Sequence, residues 1–170
     1  MKAVAAAVAV VLLVLGVASF AAEPERHAFP EIQFVDRSGS AHGLKDIRGA
    51  VTVLNFWATW CGPCRMELPA LQALSNELGA RGFTVLTFAV DTPRQLADRF
   101  AKEIGLALPV YFLDRETEGS LGIDRIPFTV LLDRDGKVVR IYAGFSQGGM
   151  KDLKEYALRL LSEQAPTGGK

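Results

Sequence analysis

The chain has 170 residues, 49% of them hydrophobic, with 19 basic and 19 acidic side chains. That length favours one folded domain once the N-terminus is set aside. The balanced charge supplies no basic excess for nucleic acid or for an electrostatic grip on a membrane.

Residues 1–22 form a separate segment. Lys2 gives a positive start, and Ala3 to Ala22 carries no charge. The run reads as an export signal cut after Ala21, with Ser19 and Ala21 at the small-residue positions. The rival reading is a retained anchor, because residues 3–22 are about as long as a bilayer core requires, but a core rich in Ala and Val rather than Leu suits a signal better. Both readings export the folded part. No cysteine stands directly after the apolar stretch, so a lipoprotein anchor is not expected. Residues 23–30 read as a polar linker, 31–164 as the domain and 165–170 as a frayed tail.

Ile32 to Val35 is a short strand, turned by Asp36-Arg37-Ser38-Gly39. Val51 to Trp57 is a continuous apolar run with only Thr52 and Asn55 inside it, the pattern of a buried central strand. A helix is predicted from about Cys61 to Ala80, with Leu68, Leu71, Leu74 and Leu78 at helical spacing and a kink at Pro69. Thr84 to Val90 is the next buried strand. Thr92-Pro93 then starts a helix, with Thr92 as cap and Pro93 at the first helical position. Leu96, Phe100 and Ile104 line one face of it and Gly105 stops it.

Val110 to Leu113 is a third strand run, and Glu116 to Gly122 is one or two helical turns. Phe128 to Leu132 and Val138 to Tyr142 flank Asp133-Arg134-Asp135-Gly136, a strong hairpin signal. Leu153, Ala157, Leu160 and Leu161 mark a final amphipathic helix. Strands that alternate with helices imply a parallel part, and the closing hairpin adds antiparallel strands. The expected fold is α/β, a mixed central sheet with helices on both faces.

The two cysteines, Cys61 and Cys64, stand three apart between the apolar strand and the helix. At a helix N-terminus, free N–H groups and the helix dipole favour a thiolate. An unperturbed thiol with a pKa of about 8.5 is only roughly 3% ionised at pH 7, whereas a pKa near 7 ionises about half. Cys61 is then the attacking sulfur. Cys64, one turn deeper, resolves the mixed disulfide. A purely structural bridge across so short a loop stabilises by only about 2 kcal/mol, against about 4.7 for a 100-residue loop. A zinc site lacks half its usual ligands, and no metal is expected. His27 and His42 read as exposed loop histidines, and Trp57 as core.

At these residues the chain resembles the thioredoxin superfamily, over about Ile32 to Leu161. Within it the chain is similar to the TlpA/ResA-like, membrane-associated thiol-disulfide oxidoreductases of bacteria. The resemblance rests on Leu54-Asn55-Phe56-Trp57-Ala58-Thr59-Trp60-Cys61-Gly62-Pro63-Cys64-Arg65-Met66-Glu67-Leu68-Pro69. It rests also on an insertion-like strand-helix piece around Asp91 to Leu113, and on Ile126-Pro127-Phe128-Thr129 ahead of Asp133-Arg134-Asp135-Gly136-Lys137. The resemblance implies a thioredoxin fold with a βα insertion and no cofactor.

Thioredoxin carries a buried aspartate at the place of Asn55. The TlpA/ResA-like pattern has instead a glutamate three residues after the second cysteine, and Glu67 stands there. The resemblance makes Glu67 a proton-exchanging group on the side of Cys64; without it, Glu67 reads as a helix-surface residue. It also implies a cis bond at Ile126-Pro127 opposite the cysteines, whose neighbouring backbone pairs with an extended substrate. Trp60, Gly62 and Pro63 around Cys61 join Ile126 and Pro127 as expected substrate contacts.

The implied partners are proteins with cysteines or disulfides and a membrane electron donor of the thiol-relay type. The implied place is the bacterial periplasm or the outer face of the cytoplasmic membrane, and the implied role is reduction of cysteines awaiting haem or copper. Two other functions fit less well. A peroxiredoxin-like peroxidase wants Pro-x-x-x-Thr-x-x-Cys, but Thr59 is two residues before Cys61. A copper chaperone on this fold uses a wider cysteine spacing and a distant histidine, and no histidine follows His42.

Overall fold

The structure, a computed structural model, describes residues 26–163 apart from residues 48 and 92. The leader at 1–22, the start of the linker, Thr92 and the tail at 165–170 lie outside the described residues. The elements run β1 (Gln33–Val35), β2 (Ala41–Gly43), a short 3-10 helix (Leu44–Ile47), β3 (Val51–Trp57) and α1 (Gly62–Leu78). They continue with β4 (Phe83–Ala89), α2 (Gln95–Glu103), β5 (Val110–Tyr111), α3 (Arg115–Ser120), β6 (Phe128–Leu132), β7 (Val138–Ala143) and α4 (Gln147–Ser162).

Five strands form the central sheet in the order β5-β4-β3-β6-β7. β3 is parallel to β4 and β4 to β5, whereas β6 is antiparallel to both β3 and β7. β3 thus has a neighbour on each side, and all seven of its residues are buried. A run without alternation is what a strand covered on both faces requires.

Side-chain alternation divides β3 between two cores. Val51 and Val53, with Val85 and Leu131, pack beneath Leu71, Leu74 and Leu78 of α1 and Leu153, Ala157 and Leu160 of α4. Leu54 and Phe56, with Leu86, Phe88 and Val130, face Ile32, Phe34 and Leu44. Leu121 and Ile123, which follow α3, close that second side. Helices therefore lie on both faces, but unequally: the second face is covered mainly by the β1–β2 hairpin.

That hairpin is held by the Asp36 turn. Asp36 Oδ1 accepts the Ser38 N–H at 2.8 Å and the Ser40 N–H at 3.0 Å, and Gly39 adopts φ +86°, a conformation that suits glycine. β2 is absent from the sequence reading, since three residues with one histidine carry no period. His42 is correspondingly not an exposed loop residue. It sits half-buried on β2, stacked on Phe34 and 3.1 Å from Asp36 Oδ2. The lead-in is also fixed. Ala28 bridges Lys137, the Val138 N–H donates to His27 O, and Arg26 pairs with Asp133 at 3.3 Å.

Three further element boundaries differ from expectation. α2 starts at Gln95 rather than Pro93, because Pro93 to Leu96 first closes a turn through Leu96 N–H to Pro93 O. Its buried face is Ala97, Phe100 and Ala101, and Ile104 is exposed. The alanines bring α2 close to Trp57 and Leu68 in a third cluster. β5 stops after two residues because Phe112 leaves β4 and exchanges both backbone hydrogen bonds with Val35. α1 spans Gly62–Leu78 rather than about Cys61 to Ala80, because residues 79–81 tighten into a 3-10 turn, and Pro69 lies inside the helix.

Leu71 is fully buried between α1 and the sheet. Leu71→Ala is expected to cost about 2–5 kcal/mol of unfolding free energy, measured by denaturant titration. Ile141, 55% exposed on β7, serves as the contrast. Ile141→Ala is expected to stay within about 0.5 kcal/mol of the parent.

Candidate active site

β3 delivers the chain to the dithiol. The strand ends at Trp57, the Cys61 N–H returns to Ala58 O at 3.2 Å, and α1 begins. Cys61 caps that helix: its Sγ accepts the Cys64 N–H at 3.2 Å. The two cysteines form a disulfide with Cα atoms 5.3 Å apart. Cys61 keeps 6% of its surface and Cys64 none. Gly62 and Pro63 are exposed beside the bridge, and Trp60 is 72% exposed. Access to the sulfurs is therefore from the Cys61 side.

Glu67 stands one turn after Cys64 on the buried face of α1, only 2% exposed. Its environment excludes the helix-surface reading. Asn55 Nδ2 donates to Glu67 Oε2 at 2.9 Å, and the Thr129 hydroxyl donates to Oε1 at 3.0 Å. Asn55 Nδ2 also donates to Thr129 Oγ1 at 2.9 Å, closing a three-residue ring of hydrogen bonds. Burial pushes the Glu67 carboxyl up to about 7, against the opposing pull of the Thr129 and Asn55 hydrogen bonds. A group poised there holds or releases a proton near neutral pH. The carboxyl that thioredoxin carries on its strand at the place of Asn55 is here brought to Asn55 from α1.

The Ile126–Pro127 peptide bond is cis. Strand pairing sets Phe128 opposite Phe56, so Pro127 lies at the Trp57 end of the sheet. Ile126 packs against the cluster that contains both cysteines. Its side chain also lines an open groove of about 490 Å³, together with Phe56, Trp60, Val90 and Ile123. The structure thus brings Trp60 and Ile126 to one groove, and Cys61, Cys64 and Ile126 to one apolar cluster. Glu67 lies behind, in the core.

Two polar contributors escaped the sequence reading. In the sequence Thr129 stands out only within the Ile126-Pro127-Phe128-Thr129 run of the resemblance. Its signal is register: it pairs with Asn55 across β3 and β6, and both are fully buried. In the sequence Asp91 stands out only as the edge of the insertion-like piece. It is 4% exposed, and Thr59 donates to it from both its N–H and its hydroxyl. Its signal is a lone acid directly after a buried strand.

The Redoxin family model matches residues 24–158. The thiol-disulfide oxidoreductase ResA of Geobacillus thermodenitrificans is 35% identical over 129 residues, which are 75% of this chain and 72% of that protein. The ResA of Geobacillus kaustophilus is 33% identical over 117 residues, 68% of this chain and 67% of its own. Among solved structures, a thioredoxin-family thiol:disulfide interchange protein from Chlorobium tepidum superposes with a TM-score of 0.70 at 26% identity, covering 83% of this chain and all of its own. A dithiol at a helix N-terminus, a mixed sheet of this order and these relatives agree: the chain belongs to the Redoxin family of the thioredoxin superfamily, as a TlpA/ResA-like thiol-disulfide oxidoreductase.

Proposed function

We propose that this oxidoreductase is an exported reductant of protein disulfides, with Cys61 as nucleophile, Cys64 as resolving thiol and Glu67 as proton relay. The observation that carries the reading is the pairing of a rim cysteine with a buried cysteine and a buried carboxyl on one helix. In the reduced protein the Cys61 thiolate attacks one sulfur of a substrate disulfide. That S–S bond breaks, a Cys61–substrate disulfide forms, and the departing thiolate takes a proton. Cys64 then loses its proton and attacks Cys61 Sγ, releasing the second substrate thiol. Two electrons and two protons pass to the substrate, and the Cys61–Cys64 bridge re-forms.

Glu67 is suited to accept the Cys64 proton in the second step, because it lies one turn away on the same buried face. Regeneration needs a dithiol donor, in this reading a membrane protein that passes reducing equivalents outward. Trp60, Gly62, Pro63, Ile126 and Pro127 form the substrate-facing surface, and an extended segment beside the target cysteine fits the groove at Trp60 and Ile126. The leader at 1–22 exports the 31–164 domain to the periplasm or the outer face of the cytoplasmic membrane, whether cut or retained. Among the described residues no helix is long and apolar enough to cross a membrane. The substrates proposed are extracytoplasmic cysteines that await haem or copper. A mainly reduced Cys61–Cys64 pair in intact cells, read by thiol trapping, supports the reductant direction, and a mainly oxidised pair overturns it.

The division of labour between the sulfurs predicts an asymmetric trap. Cys64→Ser is expected to accumulate mixed disulfides through Cys61, visible on non-reducing gels, whereas Cys61→Ser accumulates none. The reverse pattern exchanges the two roles.

Glu67 predicts a pH dependence with a definite sign. Its carboxyl titrates at about 7 in the fold against an ordinary value of 4.5. The protonated form is thus the one that folding favours. That contribution is complete below pH 4.5 and is lost as pH rises through 7. Glu67→Gln cannot ionise and escapes the loss. Its stability is expected to gain on the parent's across that window, by on the order of 3 kcal/mol in total. In the same variant the onset of Cys64 alkylation should move to lower pH, because a negative neighbour is gone. Parallel stability curves and unchanged alkylation would assign Glu67 to packing alone.

A further inference from the structure

Thr59 lies two residues before Cys61 and is fastened to the far side of the site. Its N–H lies 3.1 Å from Asp91 Oδ2 and 3.2 Å from Oδ1, and its hydroxyl donates to Oδ1 at 2.5 Å. Asp91 is 4% exposed. β4 brings it there: the strand ends at Ala89, and the Val90 N–H still reaches Trp57 O at 2.9 Å. The next residue places its carboxylate against the loop.

Burying a carboxylate is costly unless its oxygens are hydrogen-bonded. Here one residue satisfies both oxygens, through a backbone donor and a side-chain donor together. Two donors from one residue fix that residue's backbone and its side-chain rotamer at once. The neighbours show the result. Ala58 is fully buried, Trp60 is 72% exposed and Cys61 is 6% exposed, all within four consecutive residues. The loop between β3 and α1 is thus held with Trp60 out and Cys61 Sγ at the rim.

We infer that Asp91 is a positioning residue for thiol-disulfide exchange: it clamps Thr59 so that the Thr59–Cys61 loop presents Cys61 Sγ to the incoming sulfur and Trp60 to the substrate groove. This role rests on Cys61 being the attacking thiol. It belongs to neither the dithiol nor the Glu67 cluster, and it acts through the loop alone. Exchange needs the attacking sulfur in line with the S–S bond under attack, so a loose loop costs rate even when the thiolate is fully formed.

The test uses the reduced full-length protein and oxidised glutathione as the probe. The attack rate is followed up to its high-pH plateau, where ionisation no longer limits it, and the first adduct is located by peptide mapping. Asp91→Ala is expected to lower the plateau rate about tenfold with cooperative unfolding retained. Thr59→Val, which loses only the hydroxyl, should fall between. The conservative Thr59→Ser keeps both donors and should stay within about twofold of the parent. A plateau rate for Asp91→Ala within about twofold of the parent, even with a lowered melting temperature, overturns the proposal and leaves Asp91 a loop staple. If Asp91→Ala does not fold, Asp91→Asn and Thr59→Val decide, and parental rates in both overturn it. A first adduct on Cys64 refutes the Cys61 assignment itself, and the role of Asp91 falls with it; that outcome is distinct from an unchanged rate.

Discussion

A carboxyl inside an apolar core must be met by donors, and that requirement organises this molecule. Glu67 meets Asn55 on β3 and Thr129 on β6, which are themselves opposite each other in the ladder. Three elements are therefore referred to one point. A helix turns by about 100° per residue, so a slip of α1 by one position would swing Glu67 away from both donors. Because Cys64 shares the buried face with Glu67, the same contact turns Cys64 inward and leaves Cys61 at the rim. Leucines along α1 could repack after a small rotation; the hydrogen-bonded ring could not. The apolar residues supply cohesion, and the buried polar ones supply register.

β3 is the stem on which these constraints are mounted. Its first residues belong to the core under α1 and α4, its alternate residues to the core under the β1–β2 hairpin, and its last residue to the cluster around the disulfide. Past its end the loop is held twice, by the return of Cys61 N–H to Ala58 O and by the Asp91 clamp. Fixed polar contacts thus lie on both sides of the dithiol. The groove at Trp60 and Ile126 is the open direction.

What the sequence disclosed follows from the strength of each signal. β3 was legible because an uninterrupted apolar run has few other uses. The β6–β7 turn was legible because Asp133 and Gly136 are chemically committed: Asp133 Oδ1 accepts from two backbone N–H groups, and Gly136 takes φ +77°. β2 was not, since its three residues gain order only by pairing with β1. The start of α2 differs from the expected one because Pro93 fits the first turn of a helix and a preceding loop turn equally well. At the site, the cysteines were plain from spacing, whereas the burial of Glu67 was not. Burial depends on which way α1 faces, and that is settled by residues 12 and 62 positions away. Asp91 was invisible for the same reason, its partner being 32 positions upstream.

The ties that hold the lead-in give the molecule two poles. Residues 26–29 are fastened beside Asp133, Gly136 and Lys137, at the far end of β6 from Phe128. Cys61 follows the opposite end of β3, a strand whose seven residues span roughly 20 Å. The chain therefore enters at one end of the sheet and its sulfurs lie at the other. Arg26 to Phe29 thus lie on the side of the domain that faces away from the site. Another molecule can therefore reach the dithiol without crossing residues 26–29, and the two ends of the sheet are left to separate uses.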